Sequence, residues 1–280
     1  MSSTKSFAPE RFHRHAFVWL EPPGGAFSFG ANKGAWASCP HVPHAGECPP
    51  KGISAQNGDA SPPDDPPEDA EILREWGRLE RPLVVRRPCL GNGGMTVCVG
   101  LALPPTPHKR RIAFELPVSL VRDVTLPPLW DACAPELGLG PWASRPPSET
   151  QAGKMPALLW PVAQIQAAAK AGGCELRTFG SHAWQYLTGL PYVTEFSDID
   201  LLLFVESRTS WSAIRRGLEQ LDRASSPRID LEIVLAGDAS FSWREFSTNP
   251  DRLLFKGNSR VWLGEPKDIE VLLERGADDA

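Results

Sequence analysis

The sequence predicts an α+β protein made of a small β-rich N-terminal domain and a C-terminal domain in which a mixed sheet is combined with helices. Three apolar runs separated by short turns, within residues 81–117, predict a small antiparallel sheet. From residue 156 onward, apolar strand patterns alternate with helical patterns, which favours a sheet flanked by helices. A stretch rich in proline and glycine at 126–153 predicts a linker, so we assign residues 1–150 and 151–280 to the two domains.

Composition and charge exclude several classes of protein. Of the 280 residues, 41% are hydrophobic and 22% are charged, which excludes a wholly disordered or fibrous protein. The net charge of -5 gives no general attraction to nucleic acid, so an anionic ligand has to be held by local groups. No apolar run approaches the roughly 20 residues that cross a bilayer, and residues 1–17 lack the pattern of a signal peptide. We therefore expect a cytoplasmic protein with neither a nucleic-acid nor a membrane partner.

The cysteines predict no disulfide framework. All six are scattered along the chain and are interpreted as reduced thiols. Cys39, His41, His44 and Cys48 are zinc-type ligands close together in sequence, but their spacing fits no familiar structural site. We interpret this group as chance composition rather than a zinc site.

The N-terminal domain is predicted to begin with one element and a long insertion. Residues 11–20 change from polar to apolar and predict either a first strand or a short helix. The tract at 22–67 holds ten prolines and seven glycines among 46 residues, which predicts an exposed, mobile spacer. At 68–79, acids in the first turn and apolar residues at helical spacing predict a helix. Strands are then predicted, in order, at 81–87, 95–103 and 109–117.

The C-terminal domain is predicted to alternate helices and strands. A helix at 156–171, which ends at two glycines, opens it. The apolar run that starts at Leu201 predicts a buried strand, and residues 209–223 place apolar side chains on one face of a helix. The other elements predicted are a strand at 174–179, a helix at 182–189, a strand at 228–236, a segment at 241–246, two short apolar runs after residue 251 and a helix at 268–276.

Two aspartates stand where the buried strand begins. Asp198 and Asp200 precede the run Leu201–Val205, and carboxylates at such a position are costly unless they are paired, hydrated or bound to a metal. Alternation along a strand directs both side chains to the same face. Mg²⁺ prefers carboxylate oxygens and water, and two such carboxylates can hold a pair of ions about 3.5–4 Å apart. We therefore predict that Asp198 and Asp200 are catalytic metal ligands for phosphoryl or nucleotidyl transfer, the alternative being a hydrated strand end.

A Gly-Ser turn and the following strand supply the other predicted site residues. Gly180 lets backbone approach a triphosphate closely, and Ser181 at the predicted helix start caps the helix and offers a hydroxyl and an amide to phosphate. A third carboxylate is expected from the neighbouring strand, where Asp230 and Glu232 share one face. Both are candidate metal ligands, and Glu232 is preferred as the catalytic one because it lies deeper in the apolar run.

This layout resembles the nucleotidyltransferase superfamily, whose signature is Gly-Ser, a spacer, Asp-x-Asp and a third carboxylate on an adjacent strand. Here the spacer between Ser181 and Asp198 is 16 residues, longer than is common in the superfamily. The segments RPLVVRR, FGSHAWQYLTGLPYVTEFSDIDLLL, DLEIVL, WREF and LLFK together resemble one family within it. That family is the phosphoribosyl-dephospho-CoA transferase of malonate decarboxylase, also called malonate decarboxylase holo-acyl-carrier-protein synthase.

The resemblance implies a specific reaction. The donor is 2'-(5''-triphosphoribosyl)-3'-dephospho-CoA, and the acceptor is a serine of the apo acyl carrier subunit of malonate decarboxylase. Pyrophosphate is released. The family's catalytic aspartates correspond to Asp198 and Asp200. Serine oxygen would attack the phosphorus nearest the ribose with magnesium support, and Glu232 or Asp230 would orient or deprotonate the serine.

Cationic residues are expected to assist the leaving group. Arg177, Arg244 and Lys256 lie near predicted strand ends and are our substrate-binding candidates, each with the alternative of a surface salt bridge. Trp184 and Tyr186 flank the turn, and packing of the helix against the sheet is favoured over stacking on adenine.

Two other functions stay open from the residues alone. One is a nucleotidyltransferase that modifies another protein or a small molecule with a nucleoside triphosphate. The other is a nucleotide-binding regulator without catalysis, against which the paired aspartates argue because a binder needs no paired metal site.

Overall fold

The protein folds around two β-sheets, seen here in a computed structural model. The structure describes residues 12–21, 68–86, 96–105, 110–136, 159–194, 196–219, 229–236, 239–258 and 260–278. Within these ranges the strands form one sheet of five and one sheet of six, and helices accompany both. The predicted α+β class is confirmed. The insertion at 22–67 and the Cys/His group within it lie outside the described residues.

The N-terminal sheet is antiparallel throughout, with the strand order β4-β3-β2-β1-β5. Within the predicted first element, Phe17–Leu20 form a strand rather than a helix, and this strand lies inside the sheet between β2 and β5. The three predicted strands are present, whereas β5 was not predicted because its sequence, VRDVT, carries few apolar residues. The elements are β1 Phe17–Leu20, α1 Glu68–Arg78, β2 Leu83–Val85, β3 Thr96–Ala102, β4 Arg111–Pro117 and β5 Val121–Thr125.

The C-terminal sheet is mixed, as predicted, with the strand order β11-β10-β9-β8-β7-β6. Only β7 and β8 pair in parallel among the described strands, and the helix between them makes the crossover that a parallel pair requires. The strands are β6 Leu176–Thr178, β7 Ile199–Val205, β8 Ile229–Leu235, β9 Ser240–Ser242, β10 Leu253–Lys256 and β11 Val261–Gly264. The helices are α3 Leu159–Ala171, α4 Gly180–Thr188, α5 Arg208–Glu219, α6 Trp243–Phe246 and α7 Asp268–Asp278.

One face of the C-terminal sheet forms the apolar core, whereas the other, called the polar face below, carries the candidate carboxylates next to apolar residues such as Leu202. Alternate residues of β7 and β8, such as Leu203 and Ile233, are fully buried in a core that also includes residues of α3, α5 and α7. Between them, Asp200, Asp230 and Glu232 point to the opposite face. The period of two therefore separates the core that stabilises the sheet from the face that carries the candidate chemistry.

The predicted linker at 126–153 is wrong for its first part. Residues Trp130–Glu136 form a helix, α2, whose Trp130 is only 2% exposed and belongs to the C-terminal core. The preceding residues pair with β6, since Thr178 N–H donates to the Pro128 carbonyl over 2.9 Å. The prolines in this stretch led to the prediction of a linker, although the apolar residues of the short helix recur three and four positions apart.

Helix α4 joins the two halves of the molecule. Trp184 is buried against the N-terminal sheet, where its ring meets Phe17 edge-on with centroids 5.4 Å apart. Tyr192, shortly after the helix, donates from its hydroxyl to the Ala102 carbonyl over 2.6 Å. The predicted packing role of Trp184 is thus confirmed, but its partner is the other domain's sheet.

No helix in the described ranges is both long and apolar enough to cross a membrane.

Candidate active site

The candidate site begins at the point where β7 and β8 start. Asp200 and Asp230 are register partners on these parallel strands, so their backbones lie about 4.8 Å apart and their side chains share one face. Asp198 stands two residues before Asp200 and is exposed. The fold therefore brings the Asp-x-Asp pair beside a carboxylate of the neighbouring strand, and that carboxylate is Asp230.

Gly180 lies directly against Asp200. Its φ of +61° is a left-handed conformation that favours glycine. A Cβ placed there would fall on Oδ2 of Asp200 and stand 2.7 Å from its Cγ. The Asp200 carbonyl is also fixed, because it accepts from Phe179 N–H over 3.1 Å and from Thr178 Oγ1 over 3.0 Å. The turn thus sets the position of the aspartate as well as leaving room for it.

Ser181 does not cap the helix that follows. Helix α4 begins at Gly180, and the cap position is Phe179, which makes no side-chain capping hydrogen bond. Ser181 lies inside the first turn and is partly buried. The capping prediction is wrong because the helix begins two residues earlier than predicted, which moves the cap position to Phe179. Phosphate binding by Ser181 stays a prediction.

Glu232 lies one pleat further along β8 and faces cations. It is 6% exposed and is the register partner of Leu202 on one side and Ser242 on the other. Its carboxylate forms an ion pair with Arg14 and a second with Lys256 Nζ at 3.7 Å. Ser240 donates its hydroxyl to the same carboxylate. Burial of this charge is compensated by cations and a hydroxyl.

The four predicted metal ligands are not assembled into one cluster. Among the residues that the structure describes, no group of three or more His, Cys, Asp or Glu side chains is arranged to hold a metal ion. Strand register favours Asp230 over Glu232 as the third carboxylate, since the oxygens of Glu232 face Arg14 and Lys256 whereas Asp230 is the register partner of Asp200. Metal binding by either residue stays a prediction.

The remaining carboxylates still fit magnesium. Mg²⁺ keeps several waters and is bound in proteins by one or two carboxylates together with substrate phosphates. Asp198, Asp200 and Asp230 offer hard oxygen donors at one edge of the face. They suit an ion that arrives with a phosphate chain rather than one held permanently by the protein.

The three predicted cations occupy different surroundings. Lys256 faces Glu232 on the polar face. Arg244 lies in α6 and donates to the Ile229 carbonyl over 3.1 Å, at the edge where β8 begins. Arg177 is held by Glu175 at 2.5 Å and by the Pro127 carbonyl at 2.6 Å. Its guanidinium therefore holds the chain that precedes α2. This is the role of a salt-bridge partner, which was the alternative to substrate binding for this residue.

Two residues of the N-terminal half reach this face and were not predicted. Arg14 donates from Nη2 to Ser240 Oγ over 3.1 Å, and its backbone N–H donates to Asn258 Oδ1 over 2.9 Å. The ring of His15 lies 4.4 Å from that of Phe179, and its Nε2 is 4.0 Å from Glu232 Oε2. In the sequence, the signal for these residues was the basic run before β1. Such a run is equally compatible with cations that are hydrated at the end of a strand.

A tyrosine ties the two halves of the molecule together. Burial raises the pKa of Tyr192, so its hydroxyl stays protonated and donates to the Ala102 carbonyl at ordinary pH. This bond holds the N-terminal half near the loop that leads into β7.

Comparisons with known proteins agree on one family. Residues 13–127 match the phosphoribosyl-dephospho-CoA transferase MdcG N-terminal domain, and residues 148–267 match the MdcG C-terminal domain. This chain is similar to a protein from Bradyrhizobium diazoefficiens named phosphoribosyl-dephospho-CoA transferase, with 31% identity over 69% of this chain and 77% of the relative. A protein of the same name from Xanthomonas euvesicatoria pv. vesicatoria is 33% identical to it over 66% of this chain and 79% of the relative. No solved structure shows a significant match. Both domains of the family match this chain in the same order, and the similar region covers most of each relative. This chain therefore belongs to the phosphoribosyl-dephospho-CoA transferase family.

Proposed function

We propose that this protein transfers the phosphoribosyl-dephospho-CoA group from 2'-(5''-triphosphoribosyl)-3'-dephospho-CoA to a serine of the apo acyl carrier subunit of malonate decarboxylase, in the cytoplasm, and releases pyrophosphate. Family membership supports the transferase class and a donor derived from dephospho-CoA. The observation that carries the chemistry is the register pairing of Asp200 with Asp230, which puts carboxylates of two strands on one polar face.

In this reaction, the serine Oγ forms a bond to the phosphorus nearest the ribose. The bond from that phosphorus to the bridging oxygen breaks, and pyrophosphate leaves with its electron pair. The serine proton passes to a carboxylate, for which exposed Asp230 is our candidate. Magnesium, when bound, would supply charge neutralisation at the phosphate oxygens. Asp198 and Asp200 would hold it.

The Gly180 turn orients the donor in this scheme. Helix α4 is nine residues long, and its N-terminus lies beside Asp200. Its first backbone N–H groups have no partner within the helix, so they are suited to phosphate oxygens. Gly180 presents no side chain between these N–H groups and the carboxylates. Arg244, which donates to the Ile229 carbonyl where β8 begins, is our candidate for a phosphate contact at the same end of the sheet.

One incubation tests the proposal. The protein is mixed with apo carrier subunit, the triphosphoribosyl donor and magnesium, and the carrier is weighed by mass spectrometry. We expect a mass gain equal to the phosphoribosyl-dephospho-CoA group, lost with EDTA and restored by magnesium. Asp200→Asn should reduce the rate by about a hundredfold or more while the protein stays folded. Asp123→Asn is the matched control, because Asp123 is an exposed aspartate on β5 of the other sheet.

The other outcomes decide between the alternatives. No gain with the donor but a gain with ATP would replace this proposal with a nucleotidyltransferase that uses nucleoside triphosphates. Nucleotide binding without any gain would favour a regulator. An unchanged rate in both Asp200→Asn and Asp198→Asn would refute the role of the aspartates.

A further inference from the structure

Two cationic side chains surround the buried carboxylate of Glu232 on the polar face of the C-terminal sheet. Arg14 and Lys256 both pair with Glu232, and His15 Nε2 is 4.0 Å away. Glu232 thus pairs with two cations even when the histidine is neutral. The two cationic side chains are 19% and 30% exposed, so solvent reaches both. Such a site is suited to a further anion.

This cationic group lies on the same face as the aspartates and adjoins them. Glu232 is two residues after Asp230 along β8, so the two side chains leave the sheet in the same direction about 7 Å apart. Lys256 belongs to that face because it pairs with Ser240, which pairs with Val234. A phosphate chain whose reacting end lies at Asp200 can therefore extend along β8 toward the cations.

We propose that Arg14 and Lys256 bind the phosphates of the leaving pyrophosphate, and that Glu232 holds these cations in position rather than binding metal. The donor's phosphates compete with Glu232 for the same guanidinium and ammonium groups. Arginine suits the task because its planar fork binds phosphate oxygens in pairs. The identity of the donor rests on the proposed function, but the binding of a phosphate chain does not.

The local backbone is built to deliver Arg14 to this position. The residue after it, His15, has a φ of +73°, which is rare for a residue with a side chain. Its ring contacts Phe179, the residue just before the Gly180 turn. The backbone N–H of Arg14 is fixed by Asn258 Oδ1, two residues after Lys256. The N-terminal half thus contributes a side chain to the site instead of only covering it.

Binding of inorganic triphosphate, measured by calorimetry with magnesium present, tests the proposal directly. We expect Arg14→Gln to weaken this binding by about ten- to a hundredfold, the range for a lost hydrogen bond to a charged group, and Arg14→Lys to restore part of it. In the transfer assay, Arg14→Gln should raise the KM for the donor by a similar factor with a smaller change in kcat. Glu232→Gln should bind triphosphate several-fold more tightly and gain more thermal stability from it than the wild type.

Two controls separate phosphate binding from simple attachment of the halves. Tyr192→Phe removes a hydrogen bond between the halves without touching the cations. Arg208→Gln removes an arginine that, like Arg14, forms ion pairs with carboxylates, but its partners Glu270 and Glu274 lie away from this face. Both should bind triphosphate as the wild type does.

Several results would overturn the proposal. These are unchanged triphosphate affinity in Arg14→Gln, an equal loss in Tyr192→Phe, or no triphosphate binding by the wild type. A hundredfold loss of kcat in Glu232→Gln with unaltered triphosphate affinity would assign Glu232 to catalysis instead. Failure of transfer in a protein that still binds triphosphate through Arg14 would reject the proposed function and leave this site standing.

Discussion

Replacing Gly180 with alanine tests whether the turn positions the aspartate. Alanine adds one methyl group, which would overlap Oδ2 of Asp200 and lie 2.7 Å from its Cγ. Ordinary contact between carbon atoms is about 3.5–4.0 Å, so the carboxylate has to move by roughly 1 Å. The Asp200 carbonyl is held by Thr178 and Phe179, so the side chain moves while the backbone stays.

Two separate costs follow from this substitution. A side chain at positive φ costs about 1–2 kcal/mol of stability, which lowers the Tm by several degrees for a protein of this size. A displacement of about 1 Å at a catalytic group reduces the rate by about a hundredfold, equal to about 2.7 kcal/mol of transition-state stabilisation. We therefore expect Gly180→Ala to retain its fold and to lose about two orders of magnitude in kcat/KM.

Gly189→Ala is the matched control. Gly189 ends the same helix with a φ of +68°, and a Cβ there meets nothing within 4 Å. Its backbone cost is the same, but Asp200 is untouched. Thermal unfolding and the mass-spectrometric transfer assay are measured on both variants. Equal activity of the two variants, whether high or low, would show that the contact between residue 180 and Asp200 does not govern the rate.

Two further predictions concern stability. Gly217→Ala should lower the free energy of unfolding by about 1–3 kcal/mol, because its Cβ would lie 2.7 Å from that of Ala168 where α5 meets α3. Gly77→Ala in α1 is the control: a Cβ there meets nothing within 4 Å, so this variant should raise the free energy of unfolding by about 0.5–1 kcal/mol. Urea titrations measure both, and the opposite order would refute the close contact between the helices. Burial raises the pKa of the Cys133 thiol from 9.0 to about 12, so between these values the folded protein keeps a proton that the unfolded chain releases, and the free energy of unfolding should fall as pH rises through this window; a slope unchanged in Cys133→Ala would contradict this.

The sequence predicted those elements whose pattern is strong over many residues. Strand β7 carries six apolar residues in seven, and the run after Arg208 places Trp211, Ile214 and Leu218 on one helical face. Helix α2 and strand β5 were missed because prolines border the first and polar residues fill the second. Short elements such as these are determined by what they pack against, which a local pattern does not contain.

The aspartates were predictable and the arginine was not, for the same physical reason. Asp198 and Asp200 lie at the start of a buried strand, where local sequence alone makes two carboxylates costly. Arg14 reaches Ser240 across 226 positions of the chain. That contact depends on how two sheets pack, and nothing in the run before β1 distinguishes it from a hydrated cation.

The choice between Asp230 and Glu232 depends on strand register, which the local sequence does not contain. Depth in the apolar run favoured Glu232, but along a strand each step of two residues moves a side chain by about 7 Å. Register places Asp230, not Glu232, beside Asp200. The greater depth of Glu232 instead puts it among Arg14 and Lys256. In the proposed arrangement, Glu232 would hold these cations for a phosphate chain, so one strand would contribute both to the reacting end of the donor and to its leaving group.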